Sequence, residues 1–357
     1  MTTTQKTFDT ATISKLDKSR VEVVGSIPAE TWERFRSEAI KHINGSVKID
    51  GFRNGMVPES VLIAKVGEMA ILEEMAELAL SKAYLDILIE NKIDAIGRPE
   101  VHITKLAKGN ALEFKAITSV TPEVKLPDYK KIASDEIAKS PKDEEKVTDQ
   151  DVEDAILRIR KAHASHEGHD HEKMSTEEHD KAIMANLPEL TDDFVKKLGE
   201  FKDIPDFKNK LSLMVEEEKR DAAREKRRIR IADAIVEKAT IELPEVMIQS
   251  ELDRSEAQFK ADIERMGVKL EDYLKYAKKS LEEIRKEWQP SAEKKAKLQL
   301  ILNEIAKAEK IAPEPKEVQE EVDRIVAVYK DADREHAAAY AETVLTNEKV
   351  FQWLERA

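Results

Sequence analysis

A short segment near residue 50 carries the side chains best suited to recognising a partner. It reads Gly51-Phe52-Arg53-Asn54-Gly55-Met56-Val57-Pro58 and lies just ahead of a predicted helix start. Glycine tolerates backbone angles closed to other residues, so Gly51 and Gly55 can bound a tight loop whose tip stands away from the domain. Phe52 and Arg53 then form an aromatic and guanidinium pair of the kind that anchors interfaces. The pattern indicates a binding tip; the alternative is a loop whose phenylalanine folds back as a plug while Arg53 is solvated.

A run of histidines offers a second possible ligand chemistry. Its members are His163, His166, His169 and His171. Imidazole nitrogens bind divalent metals, but this spacing matches no closed structural site and the segment 163–186 has no helical period. We favour a solvated loop over a metal site here, and we expect no cofactor.

Composition argues against an enzyme and against several other classes of protein. The 357 residues include no cysteine, which excludes disulfides, thiolate nucleophiles and zinc–sulfur sites. No nucleophile elbow, glycine-rich phosphate loop or acid–base pair of carboxylates stands out. The net charge of −13 disfavours general nucleic-acid binding. Because no segment has the apolar length of a signal peptide or a membrane span, we expect a cytoplasmic protein without membrane association.

One basic cluster lies in the middle of the chain. Its members are Lys219, Arg220, Arg224, Lys226, Arg227, Arg228 and Arg230. Acidic residues are interleaved with them, from Glu216 to Glu225. We interpret the cluster as a solvated helix face with ion pairs four residues apart, rather than as a nucleic-acid patch.

The elements that would hold the tip follow from the periodicity of the apolar residues. Alternation from Thr10 to about Ile27 predicts a strand, and Pro28 then opens a helix that Asn44-Gly45 would cap. A second helical block runs to about Asn91, after the tip. Alternating residues on either side of Lys108-Gly109-Asn110 predict a closing β-hairpin. Residues 1–120 are therefore predicted to form a small α+β domain in which two helices flank the tip.

The remainder of the chain predicts helices. Residues 121–148, with Pro122 and Pro127, are predicted to form an extended linker. Helical signal returns at 149–162 and, after the loop 163–186, continues from Leu187 to the end. Breaks are predicted at Pro205, Pro244, Gly267, Pro290, Pro313 and Pro315. Residues 149–357 are thus predicted to form a mostly all-α, elongated body with arms.

The loop resembles the G-F-R-x-G-x-x-P signature of trigger factor, the bacterial chaperone that docks on the ribosome. Phe52 and Arg53 keep the family pattern, whereas Asn54 stands where a lysine is usual. Further stretches are similar to the family's helical part: 187–194, 241–254, 289–293 and 300–306. The resemblance implies docking on the large subunit at the exit tunnel through Gly51, Phe52, Arg53, Asn54, Gly55 and Pro58.

The same resemblance implies a helical cradle that shields unfolded nascent polypeptides without ATP. Apolar residues on charge-rich helices would supply its surface: Met247, Ile248, Leu252, Phe259, Met266 and Tyr273. Flexible methionines adapt to varied partners, and the alternative is that these residues form the core between paired helices. We expect a monomer or a weak homodimer.

By this interpretation, the chain lacks one domain that trigger factors usually have. Trigger factors usually carry a peptidyl-prolyl isomerase domain between the linker and the helical body, whereas residues 163–186 are fewer than the roughly 50 of a minimal domain. We therefore expect no isomerase activity. Two alternatives stay open: a ribosome-independent helical chaperone or assembly factor related to periplasmic prolyl-isomerase chaperones, and a trigger factor that retains isomerase activity.

Overall fold

The computed structural model describes residues 7–53, 55–140, 146–164, 184 and 186–356. The chain packs as two compact units, each made of two stretches: Met1–Leu126 with Ala239–Glu309, and Pro127–Lys238 with Lys310–Ala357. A small sheet lies near the N-terminus and helices dominate the rest. The predicted fold class, an α+β domain followed by a mostly helical body, is confirmed.

The elements are as follows in chain order. The strands are β1 Thr10–Leu16, β2 Arg20–Ile27, β3 Ala95–Lys105, β4 Leu112–Val120, β5 Val124–Lys125 and β6 Thr240–Ile241. The helices are α1 Ala29–Trp32, α2 Arg36–Ser46, α3 Glu59–Val66, α4 Glu68–Glu90, α5 Tyr129–Ala138, α6 Asp149–Ala162, α7 Asp192–Leu198, α8 Ile204–Lys238, α9 Glu245–Arg265, α10 Leu270–Ala277, α11 Leu281–Glu309, α12 Pro315–Val328 and α13 Arg334–Leu354.

An antiparallel sheet with the strand order β1-β2-β4-β3 organises the first unit. Strands β3 and β4 form the predicted hairpin, paired from Ala95↔Val120 to Lys105↔Glu113. The single strand predicted over residues 10–27 is wrong, because β1 and β2 are two strands of a hairpin. Their turn places Lys18 and Ser19 at φ angles of 60° and 49°, a conformation usually signalled by glycine or asparagine.

Helices α1 to α4 pack with this sheet around one apolar core. Trp32, Met75 and Phe114 are among its fully buried side chains. The indole Nε1 of Trp32 donates to the Asn110 carbonyl at 2.9 Å, which ties the β3–β4 connection to the start of the helical segment. This core is the platform from which the loop between α2 and α3 extends.

Helices α9 to α11 also belong to the first unit. Strand β5 pairs with β6 through Val124↔Ile241, and the Ser19 hydroxyl donates to the Glu242 carbonyl at 2.7 Å. The two-residue β6 is an exception to the all-α second half that the sequence predicts. Pro290 lies inside α11 instead of ending a helix.

The second unit is helical in its described residues. Helix α5 lies within the segment 121–148, for which the sequence predicts an extended linker. The Asp128 carboxylate accepts from the Lys131 amide at 3.2 Å and so caps this helix, while Ile132 and Ala133 are buried. Among the described helices of either unit, none combines the length and apolar character needed to cross a membrane.

Candidate functional site

The loop between α2 and α3 places Phe52 and Arg53 at its tip. The Phe52 amide donates to the Ile49 carbonyl at 3.2 Å and the Met56 amide to the Arg53 carbonyl at 2.9 Å, so the chain turns on both sides of the tip. Gly51 and Gly55 adopt φ angles of 85° and 81°. Apart from the adjacent residues, no atom of the described chain would lie within 4 Å of a Cβ at either glycine. The turns therefore require glycine for its backbone freedom and not for lack of space.

The base of the loop is held by a buried asparagine. The Asn44 side chain donates from Nδ2 to the Val57 carbonyl at 2.8 Å and accepts at Oδ1 from the Val57 amide at 3.1 Å. The Gly55 amide donates to the Asn44 carbonyl at 3.1 Å. The predicted helix cap at Asn44-Gly45 is wrong, since α2 continues to Ser46 and the asparagine instead tethers the returning chain.

An arginine on α2 links the helices on both sides of the loop. The Arg36 guanidinium donates to both carboxylate oxygens of Glu68, at 2.7 and 3.1 Å, and from Nε to Glu59 at 3.0 Å. Glu59 is the first residue of α3, directly after Pro58, and Glu68 is the first of α4. Hydrogen bonds from Arg36 hold the pKa of Glu68 below its ordinary value. The Arg36 guanidinium therefore ties the first residues of α3 and α4 to α2.

The tip itself is presented to solvent. Phe52 keeps 42% of its surface exposed, and Met56 keeps 72%. Arg53 is exposed, and its guanidinium has no hydrogen-bond or ion-pair partner among the described residues. Asn54 lies outside the described residues. An exposed phenyl ring lies beside a guanidinium that is available for hydrogen bonding. This pair suits a partner with an apolar pocket next to carboxylates, phosphates or carbonyl oxygens.

The six residues predicted to bind clients fall into different environments. Ile248 and Leu252 are buried between α9 and α11, with Met247 half-buried against the same cluster. Phe259 and Tyr273 are half-buried and their ring centroids lie 5.4 Å apart, while Trp288 lies 5.2 Å from Phe259. Met266, just after α9, is exposed. The six residues do not form one surface, because Ile248 and Leu252 are core residues of the helix pair.

Two exposed residues near Met266 were missed in the sequence. Val268 lies in the turn between α9 and α10, and Tyr276 lies on α10 with 89% of its surface exposed. Helix α10 has no buried residue. The sequence offers two indications of these residues: Met266 and Val268 are apolar on either side of Gly267, and Tyr273 and Tyr276 form an aromatic pair.

The histidine run is only partly described. His163 caps the end of α6, where its Nδ1 donates to the Ile159 carbonyl at 3.0 Å and its ring meets Phe194 edge-on at 6.0 Å. His166, His169 and His171 lie outside the described residues. Within the residues that are described, no group of three or more side chains could hold a metal ion.

The sequence predicts a solvated helix face for the basic cluster of α8. In the structure, part of this cluster is buried. Arg228 is buried, and it donates to Glu348 at 2.7 and 2.9 Å and to Glu355 at 3.0 and 3.1 Å. The Lys219 ammonium donates to Asp151 at 2.5 Å. These cations bind helices α6 and α13 to α8 within the second unit. They pair with distant carboxylates, which the local spacing of charges did not reveal.

Comparisons with known proteins cover both halves of the chain. Residues 10–159 match the family described as Bacterial trigger factor protein (TF), and residues 203–355 match Bacterial trigger factor protein (TF) C-terminus. A trigger factor of Moorella thermoacetica is 24% identical over 394 aligned positions, covering 90% of this chain and 87% of the relative. One of Streptomyces coelicolor is 26% identical over 389 positions, covering 88% and 81%. Both alignments are longer than this 357-residue chain, so each relative has residues without a counterpart here.

A solved structure has the same fold. It is a trigger factor chaperone studied for promiscuous substrate recognition in folding and assembly, with a TM-score of 0.55 and 18% sequence identity. The superposition covers 98% of this chain and 99% of that one. The two matched regions, the relatives and the shared fold lead to one conclusion: the chain belongs to the trigger factor family of chaperones.

Proposed function

We propose that this chain is an ATP-independent chaperone of the cytoplasm that docks on the large ribosomal subunit at the exit tunnel and shields emerging polypeptides. Residues 1–120 would form the ribosome-binding domain and residues 149–357 the client-binding domain. The observation that carries the proposal is the exposed tip of Phe52 and Arg53 on a loop fixed at its base by Asn44. A loop held at its base loses less conformational entropy on binding than a free one, which strengthens binding through Phe52 and Arg53.

Client shielding is supported by the exposed apolar side chains at the end of α9 and on α10. Met266 and Val268, in the turn after α9, and Tyr276, on α10, are exposed to solvent between helices dense in charge. Small apolar contacts in a polar frame favour weak, rapidly reversible binding of many sequences. Client binding and release of this kind need no nucleotide, because each client buries only a modest area and therefore dissociates readily.

We also propose that the chain lacks the isomerase domain usual in its family. Residues 160–202 match neither family region, and the alignments to relatives contain positions that this chain does not fill. A prolyl-peptide isomerisation assay tests this point. A rate equal to the uncatalysed one is expected, and catalysis above it would contradict the proposal.

Docking is tested by photo-crosslinking from the loop. Met56 is exposed beside the tip, so Met56→benzoylphenylalanine should crosslink to large-subunit components on irradiation with purified ribosomes. The matched control is Ile89→benzoylphenylalanine, because Ile89 is also exposed on the first unit but lies on α4. Crosslinks from position 56 alone support docking through the loop. Equal yields from both positions, or none from position 56, would contradict it.

Client shielding has a separate test. Aggregation of a chemically denatured protein after dilution is followed by light scattering without nucleotide, with Met266→Ser and Tyr276→Ser combined in one variant. Weaker suppression by the variant than by wild type is expected. A variant as effective as wild type would place the client surface elsewhere.

A further inference from the structure

Helix α3 joins the loop that carries Phe52 and Arg53 to α4, and it has few contacts of its own that fix its direction. It is eight residues long, from Glu59 to Val66, and a helix of this length is marginal without tertiary contacts. Leu62 is buried in the core, while the other seven residues are half-buried or exposed. Because the loop runs directly into this helix, the direction of α3 bears on the direction in which the loop leaves the domain.

One side chain of α2 contacts both ends of this short helix. The Arg36 guanidinium donates from Nε to Glu59 at 3.0 Å, and its Nη2 lies 2.9 Å from the same carboxylate. It also donates to Glu68, just beyond Gly67 at the end of α3, at 2.7 and 3.1 Å. A planar guanidinium can bind two carboxylates in one fixed geometry. These three side chains, which we call the Arg36 clamp, therefore restrain α3 at its start and just past its end.

The chain that returns from the loop is bound to α2 at a second point. Asn44, eight residues after Arg36 on α2, binds both backbone groups of Val57 through its side chain. Eight residues correspond to about 12 Å along a helix axis. Val57 and Glu59 are thus attached to α2 at separate positions. A single attachment would let the returning chain pivot, whereas two attachments define its direction.

The exposure of the Arg36 clamp suits a role in direction more than in stability. The side chains of Arg36, Glu59 and Glu68 are 29%, 47% and 39% exposed, and ion pairs this exposed contribute little to stability. Docking is more sensitive, because the Kd rises in inverse proportion to the fraction of molecules whose tip has the binding direction. A fivefold change in that fraction corresponds to about 1 kcal/mol, the upper end of the range for such pairs.

We propose that Arg36 is a positioning residue for ribosome docking, which holds Glu59 and Glu68 from α2 and so sets the direction in which Phe52 and Arg53 leave the domain. The inference rests on the docking function proposed above. It gives Arg36 no contact with the ribosome. Breaking the clamp should therefore weaken docking whichever charge is removed.

Three variants separate positioning from charge. Ribosomal RNA is a polyanion, so by charge alone Arg36→Met should weaken docking, Arg36→Lys should leave it unchanged, and Glu59→Met with Glu68→Met should strengthen it. Positioning predicts weaker docking in all three, with the Kd raised about two- to fivefold. Lysine fails because an ammonium cannot bind both carboxylates as a planar fork does. The Kd is measured by fluorescence anisotropy of the full chain, labelled at its N-terminus, with purified ribosomes.

Matched controls remove the same groups elsewhere in the first unit. Arg98→Met removes an exposed arginine of β3, and Glu38→Met with Glu73→Met removes one exposed carboxylate each from α2 and α4. Neither of these glutamates pairs with a cation in the described part of the chain. The arginine control should change the Kd less than twofold, and the glutamate control should leave it unchanged or slightly lower.

Hydrogen exchange of the free protein reports on the direction of the loop without the ribosome. In Arg36→Met and Arg36→Lys, the amides of residues 55–66 should exchange faster, while those of β2 and β4 should keep their wild-type protection. Faster exchange in the strands as well would mean that Arg36 acts through the stability of the whole unit, and it would overturn the proposal.

Two binding results would also overturn it. If the variant with Glu59→Met and Glu68→Met bound ribosomes as tightly as wild type or more tightly, Arg36 would act through its charge. If Arg36→Lys matched wild type, the fork geometry would have no role. Failure of the wild type itself to bind would contradict the proposed docking function, whereas wild-type binding with unaffected variants would contradict only the role of Arg36.

Discussion

The side-chain amide of Asn44 forms two hydrogen bonds with the backbone of Val57, at 2.8 Å to its carbonyl and 3.1 Å from its amide. Both residues are buried. An amide side chain can imitate the pairing of a neighbouring strand in this way, satisfying one donor and one acceptor at once. The loop that carries Phe52 and Arg53 is thereby closed at its base by helix α2.

Loss of this tether should lower stability and loosen the loop. Asn44→Ala leaves the buried amide and carbonyl of Val57 without their partner, and we expect the free energy of unfolding in urea to fall by about 1–3 kcal/mol. Asn44→Asp keeps an acceptor for the Val57 amide, but it cannot donate to the carbonyl. We therefore expect Asn44→Asp to lower the free energy of unfolding by at least as much as Asn44→Ala.

Asn110→Ala is the control for the tether, since the Asn110 side chain is exposed and makes only a 3.3 Å hydrogen bond to the Lys108 carbonyl. Its effect should stay within about 0.5 kcal/mol. Equal losses for the Asn44 and Asn110 variants would show that the tether does not hold the loop.

Gly97 should resist substitution for two separable reasons. Its φ angle is 75°, and a Cβ at this position would lie 2.8 Å from Val246 Cγ2 at the start of α9. Gly97→Ala therefore combines backbone strain with a clash, and we expect a loss of about 2–3 kcal/mol in urea unfolding. Adding Val246→Ala should recover only the part due to the clash.

Gly109→Ala supplies the matched comparison for Gly97. Gly109 has a φ angle of 76°, and beyond its two chain neighbours no described atom would lie within 4 Å of a Cβ there. Only the backbone strain of about 1 kcal/mol should therefore appear. If Val246→Ala failed to rescue Gly97→Ala at all, the close approach of β3 and α9 would be contradicted.

Arg228 should be the most costly cation to remove from the second unit. Arg228→Met leaves Glu348 and Glu355 without their shared partner, and we expect a loss of about 2–4 kcal/mol. Hydrogen bonds from Arg228 also lower the pKa of Glu348, so this pKa should rise in the variant. Arg228→Lys should recover only part of the stability, because an ammonium cannot bind both carboxylates as a planar fork does.

Arg220→Met on the same helix is the control for Arg228. Arg220 is exposed, and its replacement should change the free energy of unfolding by no more than about 0.5 kcal/mol. A similar small change for Arg228→Met would mean that the cluster is a solvated face after all.

The Arg36–Glu68 pair should contribute to stability in a pH-dependent way. The pKa of Glu68 is lower in the folded protein than its ordinary value. Its contribution is therefore complete above the unfolded pKa of about 4.3 and is lost as the pH falls through the folded value. Because the pair is partly solvated, Arg36→Met should cost less than about 1 kcal/mol at pH 7.

Urea unfolding of wild type and Arg36→Met at pH 7 and pH 3.5 measures this dependence. The difference between the two proteins should shrink at the lower pH. Arg98→Met, which changes an exposed arginine of β3, should differ from wild type equally at both values. A gap between wild type and Arg36→Met that widens in acid would contradict the assigned direction of the pKa shift.

Local signals allowed much of the fold to be predicted. Gly51 and Gly55 predict the loop between α2 and α3, because tolerance of a positive φ angle is a property of the residue itself. The β3–β4 hairpin and the helix between residues 68 and 90 follow from regular apolar spacing. The Lys18–Ser19 turn has no such residue signal, so the β1–β2 hairpin was missed.

Contacts between distant residues could not be predicted in this way. Asn44 and Val57 are 13 residues apart, and Arg228 and Glu348 are 120 apart. Ile248 and Leu252 are buried only because α11 packs on α9, and one helix alone does not show which of its apolar residues meets a neighbour.

The most direct test of the account is ribosome co-sedimentation of wild type, Phe52→Ala with Arg53→Ala, and the matched control Ile89→Ala with Arg98→Ala. The control removes an exposed apolar residue and an exposed arginine from the same unit, away from the tip. Wild type and control should sediment with ribosomes, while the tip variant should remain in the supernatant with an unchanged circular dichroism spectrum and urea midpoint. Sedimentation of the tip variant at the wild-type level would contradict docking through Phe52 and Arg53.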